Sequence, residues 1–354
     1  MSVSVVICNY NGEEHLPACL EALAGMRGEV GEVLLVDNES TDRSLEIVAR
    51  DYPHVRVIST GFNAGPCIAR NVGMREAQGE FVLALDNDAV VSAETLEALL
   101  AAQAQTGAVI VQPRSVFDHE PDRVHYDGGG FHYVGLVQLR NFYVPLAQAQ
   151  GEGVIDVDCC ISMCLLLDRK KVLEIGGYDE RYFILFEDYD LSYRLRSGGE
   201  RIVSVESTIV RHRAGTPGIS FREGPRYPGT RVFFHSRNRW VFLFKNHEWR
   251  TLFVTAPGWL AYEFVGLCFA TMSGHLWAWL RGKGAAIKLL MELGADRAKV
   301  QRARQLRDGN LLVGGALTVT PAVAAKPVKR VLLALINGVL KFCWALSRPL
   351  LAKG

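Results

Sequence analysis

The chain has 354 residues, of which 49% are hydrophobic and 22% are charged, and its formal net charge at pH 7 is +1. This near-neutral balance argues against nucleic-acid binding, which usually requires a strongly basic domain. The length allows one large catalytic domain and an appendage, because single domains commonly contain about 100–200 residues.

The eight cysteines do not form a pattern typical of disulfides or zinc sites. No CxxC pair occurs, and several of the cysteines lie within apolar runs: Cys8, Cys164, Cys268 and Cys343. The first eight residues lack the basic and long apolar segments of a secretory signal. We therefore expect reduced, buried thiols and a catalytic part in the cytoplasm.

Short apolar runs alternate with helix-like segments over the first 111 residues. The predicted strands are Val3–Cys8, Val33–Val36, Val55–Ser59, Phe81–Leu85 and Val109–Val111, and the predicted helices are Glu14–Ala24, Arg43–Arg50, Cys67–Ala77 and Ala93–Gln103. This alternation is typical of an α/β fold whose βαβ units build a mostly parallel, Rossmann-like sheet flanked by helices. A later apolar run, Val157–Leu167, predicts one more buried strand. The sequence changes character near residue 245, which predicts a catalytic domain over 1–245 and a helical appendage over 246–354.

Polar residues follow four of the predicted strands: Cys8–Gly12, Asp37–Asn38, Gly61–Gly65 and Asp86–Asp88. Ligands of α/β sheets bind at the carboxyl ends of the strands, so we expect a site at this edge. Turn formation alone would account for Gly and Asn, but not for two separate acidic positions. Asp86 and Asp88 offer the hard oxygen ligands that Mg²⁺ and Mn²⁺ prefer. No GxGxxG follows the first strand and no GxxxxGK[ST] occurs, so dinucleotide and P-loop fingerprints are absent.

A second acidic site is the pair Glu187-Asp188. It follows the aromatic and apolar stretch Tyr182–Phe186 and begins a helix-like pattern. A carboxylate in such surroundings has the tunable pKa that a general base needs. The alternative interpretation is an acidic helix N-terminus stabilised by the helix dipole.

Five stretches in order resemble family 2 glycosyltransferases of the GT-A fold, and within them the bacterial rhamnosyltransferase-like branch. They are Val5–Gly12, Leu35–Asp42, Phe62–Gly73, Leu85–Asp88 and Gly176–Leu191, and the resemblance extends over about Ser2 to Trp240. It implies transfer of a sugar from a UDP- or dTDP-linked donor to a hydroxyl of a glycan or lipid-linked acceptor, in cell-envelope glycan synthesis. It also implies inversion at the anomeric carbon and dependence on Mn²⁺ or Mg²⁺.

The resemblance gives each matched residue a role. Asp188 would deprotonate the acceptor, Glu187 would contact the acceptor or position the base, and Asp88 and His212 would bind the metal. The nucleotide site would contain Cys8, Tyr10, Asn11, Asp37, Asn63, Arg70, Asn71 and Asp86, with Tyr10 against the base and Arg70 near the diphosphate. Members of the branch often have Asn-Pro-Asp where this chain has Asp-Asn-Asp at 86–88. The stretch Arg237–Arg239 also resembles a family motif and would face the diphosphate or the acceptor lipid, with a solvated helix face as the alternative.

The region after residue 245 is apolar and basic. Thr251–Tyr262 and Phe264–Leu280 are charge-free runs of 12 and 17 residues, short of the roughly 20 that a spanning helix needs. Ala285–Arg307 carries six basic residues against two acidic ones, and Val331–Leu351 is a last apolar segment. We expect these helices to lie on, or anchor to, the cytoplasmic face of the inner membrane. Packing on the catalytic domain or on a second subunit is the alternative.

Two other functions remain open from the residues. A nucleotidyltransferase would also use carboxylates and a divalent ion, but a Gly-rich basic loop would normally follow its first strand, whereas Asn9–Glu14 is acidic. A noncatalytic sugar-nucleotide-binding protein would not need both Asp88 and Asp188. The loops over 113–160 and 213–232 are expected to determine donor and acceptor specificity.

Overall fold

The computed structural model describes residues 2–26, 30–213, 227–321, 325 and 327–351. The specificity loop expected over 213–232 therefore lies largely outside the described residues. The chain forms two compact units: unit 1 contains 1–128, 140–191 and 200–214, and unit 2 contains 129–139, 192–199 and 215–354. The chain thus passes between the units several times, and the units do not divide at residue 245.

The strands are β1 Val3–Asn9, β2 Val30–Asp37, β3 Arg56–Ser59, β4 Phe81–Asp86, β5 Ala89–Val90, β6 Ile110–Phe117, β7 Val124–Tyr126, β8 Gly129–His132, β9 Leu136–Leu139, β10 Val154–Val157, β11 Cys164–Asp168, β12 Ile202–His212 and β13 Leu312–Val313. The helices are α1 Leu16–Ala24, α2 Ser44–Asp51, α3 Gly65–Glu76, α4 Ala93–Thr106, α5 Arg169–Glu174, α6 Glu187–Ser197, α7 Gly229–Asn246, α8 Trp249–Val254, α9 Ala256–Met272, α10 Leu276–Glu292, α11 Gly294–Ala303, α12 Asp308–Leu311 and α13 Pro327–Leu351.

Unit 1 is built on one mixed sheet with the order β10-β12-β6-β11-β4-β1-β2-β3, to which β5 and β7 add at β12 and β6. The strands β4, β1, β2 and β3 run parallel, as the βαβ alternation predicts. Helices flank the sheet, so β1 and β4 are buried almost throughout and can be apolar on both faces. The α/β fold with a central sheet flanked by helices is confirmed. The sheet is mixed rather than mostly parallel, because β11 is inserted antiparallel between β4 and β6 and β10 lies antiparallel to β12.

The prediction of one strand over Val157–Leu167 is wrong. β10 ends at Val157, β11 begins at Cys164, and a turn that contains Ser162 lies between them. Cys159 and Cys160 in this connection are fully buried. The apolar character of the run therefore reflects burial of a loop, which hydrophobicity alone does not distinguish from burial of a strand.

Unit 2 contains the small sheet β13-β8-β9 and the helices that follow residue 229. Asn238 and Arg239 of α7 are buried, so the solvated-face alternative for this motif is wrong for both. Arg239 lies 2.5 Å from Glu263 of α9, which also pairs with Lys283 of α10 at 2.5 Å. This buried ion cluster holds three helices of the unit together.

The apolar run Phe264–Leu280 does not form a single helix. α9 ends at Met272, and Gly274, whose φ is 77°, lies in the turn before α10. Among the described residues one helix, α13, is long and apolar enough to cross a membrane by length and composition, and 17% of its apolar window is buried. Membrane attachment through α13 stays a prediction.

The basic segment Ala285–Arg307 carries less available charge than its composition suggests. Arg304 pairs with Asp308 at 2.6 Å, and Arg307 pairs with Glu248 at 2.5 Å. Arg297 donates to the Phe244 carbonyl and lies 4.0 Å from the ring centroid of Trp249. Half of the six basic side chains are therefore engaged within unit 2, which lowers the expected attraction to an anionic surface.

Candidate active site

The parallel register brings the predicted polar residues together at the carboxyl edge of the sheet. Asn9 at the end of β1 pairs with Asp37 at the end of β2. On the other side of β1, Cys8 pairs with Asp86 at the end of β4. Burial raises the pKa of Cys8 to about 12, so its thiol stays neutral and contributes apolar wall rather than charge.

Hydrogen bonds between side chains fix the loops after β1 and β2. The side-chain amide of Asn9 donates to Asp37 at 2.8 Å, and its side-chain oxygen accepts from the amide of Asn87 at 2.7 Å. Asp37 also accepts from the backbone N–H of Ser40 at 2.9 Å and from its hydroxyl at 2.6 Å. Asp37 is 1% exposed, so its role at a base edge stays a prediction, while its contacts shape the loop.

Tyr10 and Asn11 lie at the open side of these loops. The Tyr10 ring is 46% exposed, as a platform for a nucleobase must be. Asn11 has φ of 50°, a left-handed conformation that Asn tolerates, and its side-chain oxygen accepts from the Thr41 N–H at 2.7 Å. Both nucleotide roles stay predictions.

Asn63 and Asn71 have contacts of a structural kind. The side-chain oxygen of Asn63 accepts from the Gly65 N–H at 3.2 Å, which closes the turn before α3. Asn71 is 1% exposed, donates to the Tyr178 carbonyl at 2.8 Å and accepts from the Tyr178 N–H at 2.8 Å. Asn71 therefore fixes the segment ahead of α6 to α3, and nothing in these contacts supports its predicted role in the nucleotide site.

Asp86, Asp88 and His212 form a group suited to a metal ion. One ligand atom from each residue lies within 4.8 Å of those of the other two. The short strand β5 pairs antiparallel with the end of β12, which aligns His212 with Ala89 and so brings the imidazole beside Asp88. His212 Nε2 lies 3.3 Å from Asp88 Oδ2.

The donor set fits Mn²⁺ or Mg²⁺ with one nitrogen ligand, since two hard carboxylates dominate it. The pKa of Asp86 is raised overall. Burial and the neighbouring carboxylate of Asp88 raise it, and Arg70 lowers it. The Nδ1 atom of His212 is buried without a hydrogen-bond partner among the described residues, and its ring stacks on His125 at 5.1 Å between centroids. The imidazole is thus fixed by packing with Nε2 toward the carboxylates.

Arg70 connects this group to the second acidic site. Its guanidinium is 4% exposed, donates to Asp86 at 2.6 Å and to the Ser162 carbonyl at 3.0 Å, and lies 3.9 Å from Glu187. Its Nε and one terminal nitrogen are buried without a hydrogen-bond partner in the described part of the chain. Arg70 is therefore a buried positive centre between the two acidic sites.

Glu187 and Asp188 begin α6, as the sequence predicts. Burial and the neighbouring Asp188 raise the pKa of Glu187 to about 8, against the opposing effect of Arg70. Burial also raises the pKa of Asp188, while Arg70 and hydrogen bonds from Ser162 lower it. Asp188 is the more accessible of the two, which suits contact with a substrate hydroxyl.

A strained turn delivers this pair to Arg70. Phe183, Leu185 and Phe186 have φ of 63°, 67° and 73°, and each bulky residue in this region costs about 1–3 kcal/mol. A Cβ atom on Gly65, which itself has φ of 77°, would lie 2.6 Å from the Phe183 ring. The start of α3 is therefore shaped around this turn.

Sequence reasoning missed Ser162 and Tyr178. Ser162 lies within the apolar run Val157–Leu167, which predicts a strand, and Tyr178 lies within the stretch Gly176–Leu191, whose resemblance implies no role for it. The Ser162 hydroxyl lies 2.6 Å from the Tyr178 hydroxyl and also hydrogen-bonds to Asp188. A polar residue within the apolar run Val157–Leu167 was the available signal.

Comparisons with known proteins bear on this site. Residues 4–176 match the family model "Glycosyl transferase family 2". The N-acetylglucosaminyl-diphospho-decaprenol L-rhamnosyltransferase of Mycobacterium tuberculosis is 29% identical over 273 residues, which cover 70% of this chain and 86% of that protein. The low-salt glycan biosynthesis hexosyltransferase Agl10 of Haloferax volcanii is 24% identical and covers 73% of this chain and 83% of its own length.

Solved structures share the fold. TarS 1-349 of S. aureus in complex with UDP-GlcNAc superposes with a TM-score of 0.54 and 19% identity over 86% of this chain and 89% of that one. GalNAc-T7 with UDP, GalNAc and Mn²⁺ superposes with a TM-score of 0.51 and 18% identity over 67% of this chain. The match spans about half (48%) of the GalNAc-T7 chain. The matched family model, the rhamnosyltransferase relative and the shared α/β architecture agree in supporting a chain similar to glycosyl transferase family 2, with a GT-A-like fold.

Proposed function

We propose that the protein is an inverting, metal-dependent glycosyltransferase that moves a sugar from a nucleoside-diphosphate donor to a hydroxyl of a lipid-linked or polysaccharide acceptor of the cell envelope. The observation that carries this proposal is the placement of Arg70 between two acidic sites. The Asp86, Asp88 and His212 group suits the leaving diphosphate and its counterion, and Asp188 suits the acceptor.

In the proposed reaction Asp188 accepts the proton of the acceptor hydroxyl. The acceptor oxygen then forms a bond to the anomeric carbon as the bond between that carbon and the diphosphate oxygen breaks. A single displacement from the face opposite the leaving group inverts the anomeric configuration, and no carboxylate nucleophile is needed, in contrast to retaining hydrolysis. The proton passes from Asp188 to water, and the nucleoside diphosphate leaves.

The leaving group acquires negative charge, which the site must balance. Asp88 and His212, with Asp86 beside them, would hold Mn²⁺ or Mg²⁺, and the ion would neutralise the departing diphosphate. Arg70 adds a fixed positive charge in a site of low water content, where such charges act strongly. Glu187, with its raised pKa, is neutral near pH 7 and so does not compete with Asp188 for the acceptor proton.

The donor and the acceptor are proposed from chemistry and from relatives. Tyr10, Asn11 and Asp37 would hold a uracil or thymine base, and TarS was solved with UDP-GlcNAc. The mycobacterial relative acts, by its name, on a sugar linked to decaprenyl diphosphate. An acceptor of this kind lies in a membrane, and the exposed apolar face of α13 would bring the protein to its cytoplasmic surface.

The test is transfer by Asp188→Asn. A panel of UDP- and dTDP-sugars with Mn²⁺ or Mg²⁺ first identifies the donor by thermal shift, because a ligand that binds the folded state stabilises it. Asp188→Asn is expected to keep that shift and lose transfer by at least about 100-fold. Asp156→Asn is the control and should transfer normally. It removes the charge of an exposed carboxylate on β10 that pairs with Arg201.

A further inference from the structure

A hydrogen-bonded chain of three side chains ends on the carboxylate of Asp188. The Ser162 hydroxyl contacts Asp188 Oδ1 on one side and the Tyr178 hydroxyl, at 2.6 Å, on the other. Ser162 and Tyr178 are each 1% exposed, so water does not compete for these bonds. The backbone carbonyl of Ser162 also accepts from Arg70 at 3.0 Å.

The direction of the chain follows from a count of protons. A hydroxyl has one proton to donate, and an ionised carboxylate can only accept. Ser162 therefore donates to Asp188, and Tyr178 donates to Ser162. Burial raises the pKa of Tyr178 well above its usual range, so the phenol keeps its proton near pH 7.

We propose that Ser162 and Tyr178 are positioning residues for transfer, acting through Asp188: they fix the orientation of its carboxylate and favour its ionised form. The proposal rests on the proposed role of Asp188 as the base. Hydrogen bonds to an ionised acceptor are the strong kind, and a second donor behind the first strengthens it further. The chain therefore opposes the effect of burial, which raises the pKa of Asp188.

The other groups that face Asp188 do not replace this chain. Arg70 also favours the ionised carboxylate, but its guanidinium is already shared with Asp86, and the charge of Asp86 opposes ionisation of Asp188. The titratable and charged groups around Asp188 come from three elements and a loop: Arg70 and Cys67 on α3, Asp86 at the end of β4, Glu187 on α6, and Tyr178 before α6. None of these except Tyr178 contacts the Ser162 hydroxyl.

The experiment is the pH dependence of kcat for Ser162→Ala and Tyr178→Phe with the identified donor. Ser162→Ala is expected to lower kcat about ten-fold or more, because it removes a hydrogen bond to a charged group. It should also move the acid limb of the profile upward by about one pH unit, since loss of the donor raises the pKa of Asp188. Tyr178→Phe keeps the ring beside Arg70 and should move the same limb in the same direction by less. The donor KM should stay unchanged for both.

Tyr126→Phe is the matched control. Its hydroxyl is buried and donates to the Cys159 carbonyl at 2.7 Å, without contact to Asp188, so its profile should equal the wild type. Thermal shift by the donor confirms that each variant is folded. If Ser162→Ala does not fold, Tyr178→Phe, which removes one atom, decides alone.

The outcomes separate this proposal from the one on which it rests. Wild-type kcat and an unmoved acid limb in the two variants, with an inactive Asp188→Asn, would overturn the positioning role and leave the base assignment intact. An active Asp188→Asn would overturn the base assignment itself. A shift of equal size in Tyr126→Phe would show a general effect of lost hydroxyls and would also overturn the proposal.

Discussion

Glu187→Gln is expected to stabilise the protein in a pH-dependent way. Burial beside Asp188 raises the pKa of Glu187 from 4.5 to about 8. The folded state then holds a proton that the unfolded state releases above pH 4.5. Below pH 4.5 Glu187 is protonated in both states and does not lower the free energy of unfolding. As the pH rises from 4.5 through about 8, the unfolded state is favoured progressively and stability is lost.

The size of the effect follows from the same numbers. Each pH unit above the ordinary pKa costs about 1.4 kcal/mol while the folded state stays protonated. At pH 7.5 this gives at most about 4 kcal/mol, and the effects of Arg70 and Asp188 are already included in the raised pKa. Gln has nearly the same shape as protonated Glu but no proton to lose.

Urea unfolding of the wild type and of Glu187→Gln at pH 5 and pH 7.5 measures this difference. The variant should be close to the wild type at pH 5 and more stable at pH 7.5. Glu174→Gln, an exposed carboxylate on α5, controls for the change of charge and should show no such trend. A difference that does not change with pH, or a variant less stable than wild type at pH 7.5, would show that Glu187 is not held protonated in the folded state.

Two further predictions concern the start of α3 and the membrane. Gly65→Ala should lower the free energy of unfolding by about 1–3 kcal/mol more than Gly61→Ala, and should lower turnover more as well. Both glycines have positive φ, but only Gly65 faces the Phe183 ring. Equal losses of the two variants in thermal unfolding would contradict this. Phe342 on α13 is 66% exposed, and Phe342→Ser should weaken co-sedimentation with anionic vesicles about ten-fold. Leu45→Ser on α2 is the control and should not weaken it. Unchanged sedimentation of both variants would exclude α13 as the attachment site.

The sequence predicted the first half of the fold well because its signals are local. Apolar runs alternating with amphipathic ones predict βαβ units, and parallel strands bring their carboxyl ends to one edge. The meeting of Asn9 with Asp37 and of Cys8 with Asp86 follows directly from this geometry. The place of His212 beside Asp86 and Asp88 is implied only by the family resemblance, since the pairing of β5 with β12 is not visible in the residues.

The remainder depends on contacts between distant segments. Ser162 meets Asp188 across 26 residues, and Asn71 meets Tyr178 across 107, so neither periodicity nor turn chemistry could indicate them. The loop around Cys159 is apolar because it is buried, and its hydrophobicity therefore predicts a strand where none forms. Composition alone suggests that Arg304 is available to attract an anionic membrane surface. Its pairing with Asp308 neutralises that charge within the protein.

The role of Asp188 as the base is tested most directly by transfer with Asp188→Asn at saturating donor and metal, measured together with the thermal shift that the donor produces. We expect an unchanged shift, transfer reduced by at least about 100-fold, and normal transfer by Asp156→Asn. Near wild-type transfer by Asp188→Asn would contradict the assignment of the base, and with it the proposed mechanism.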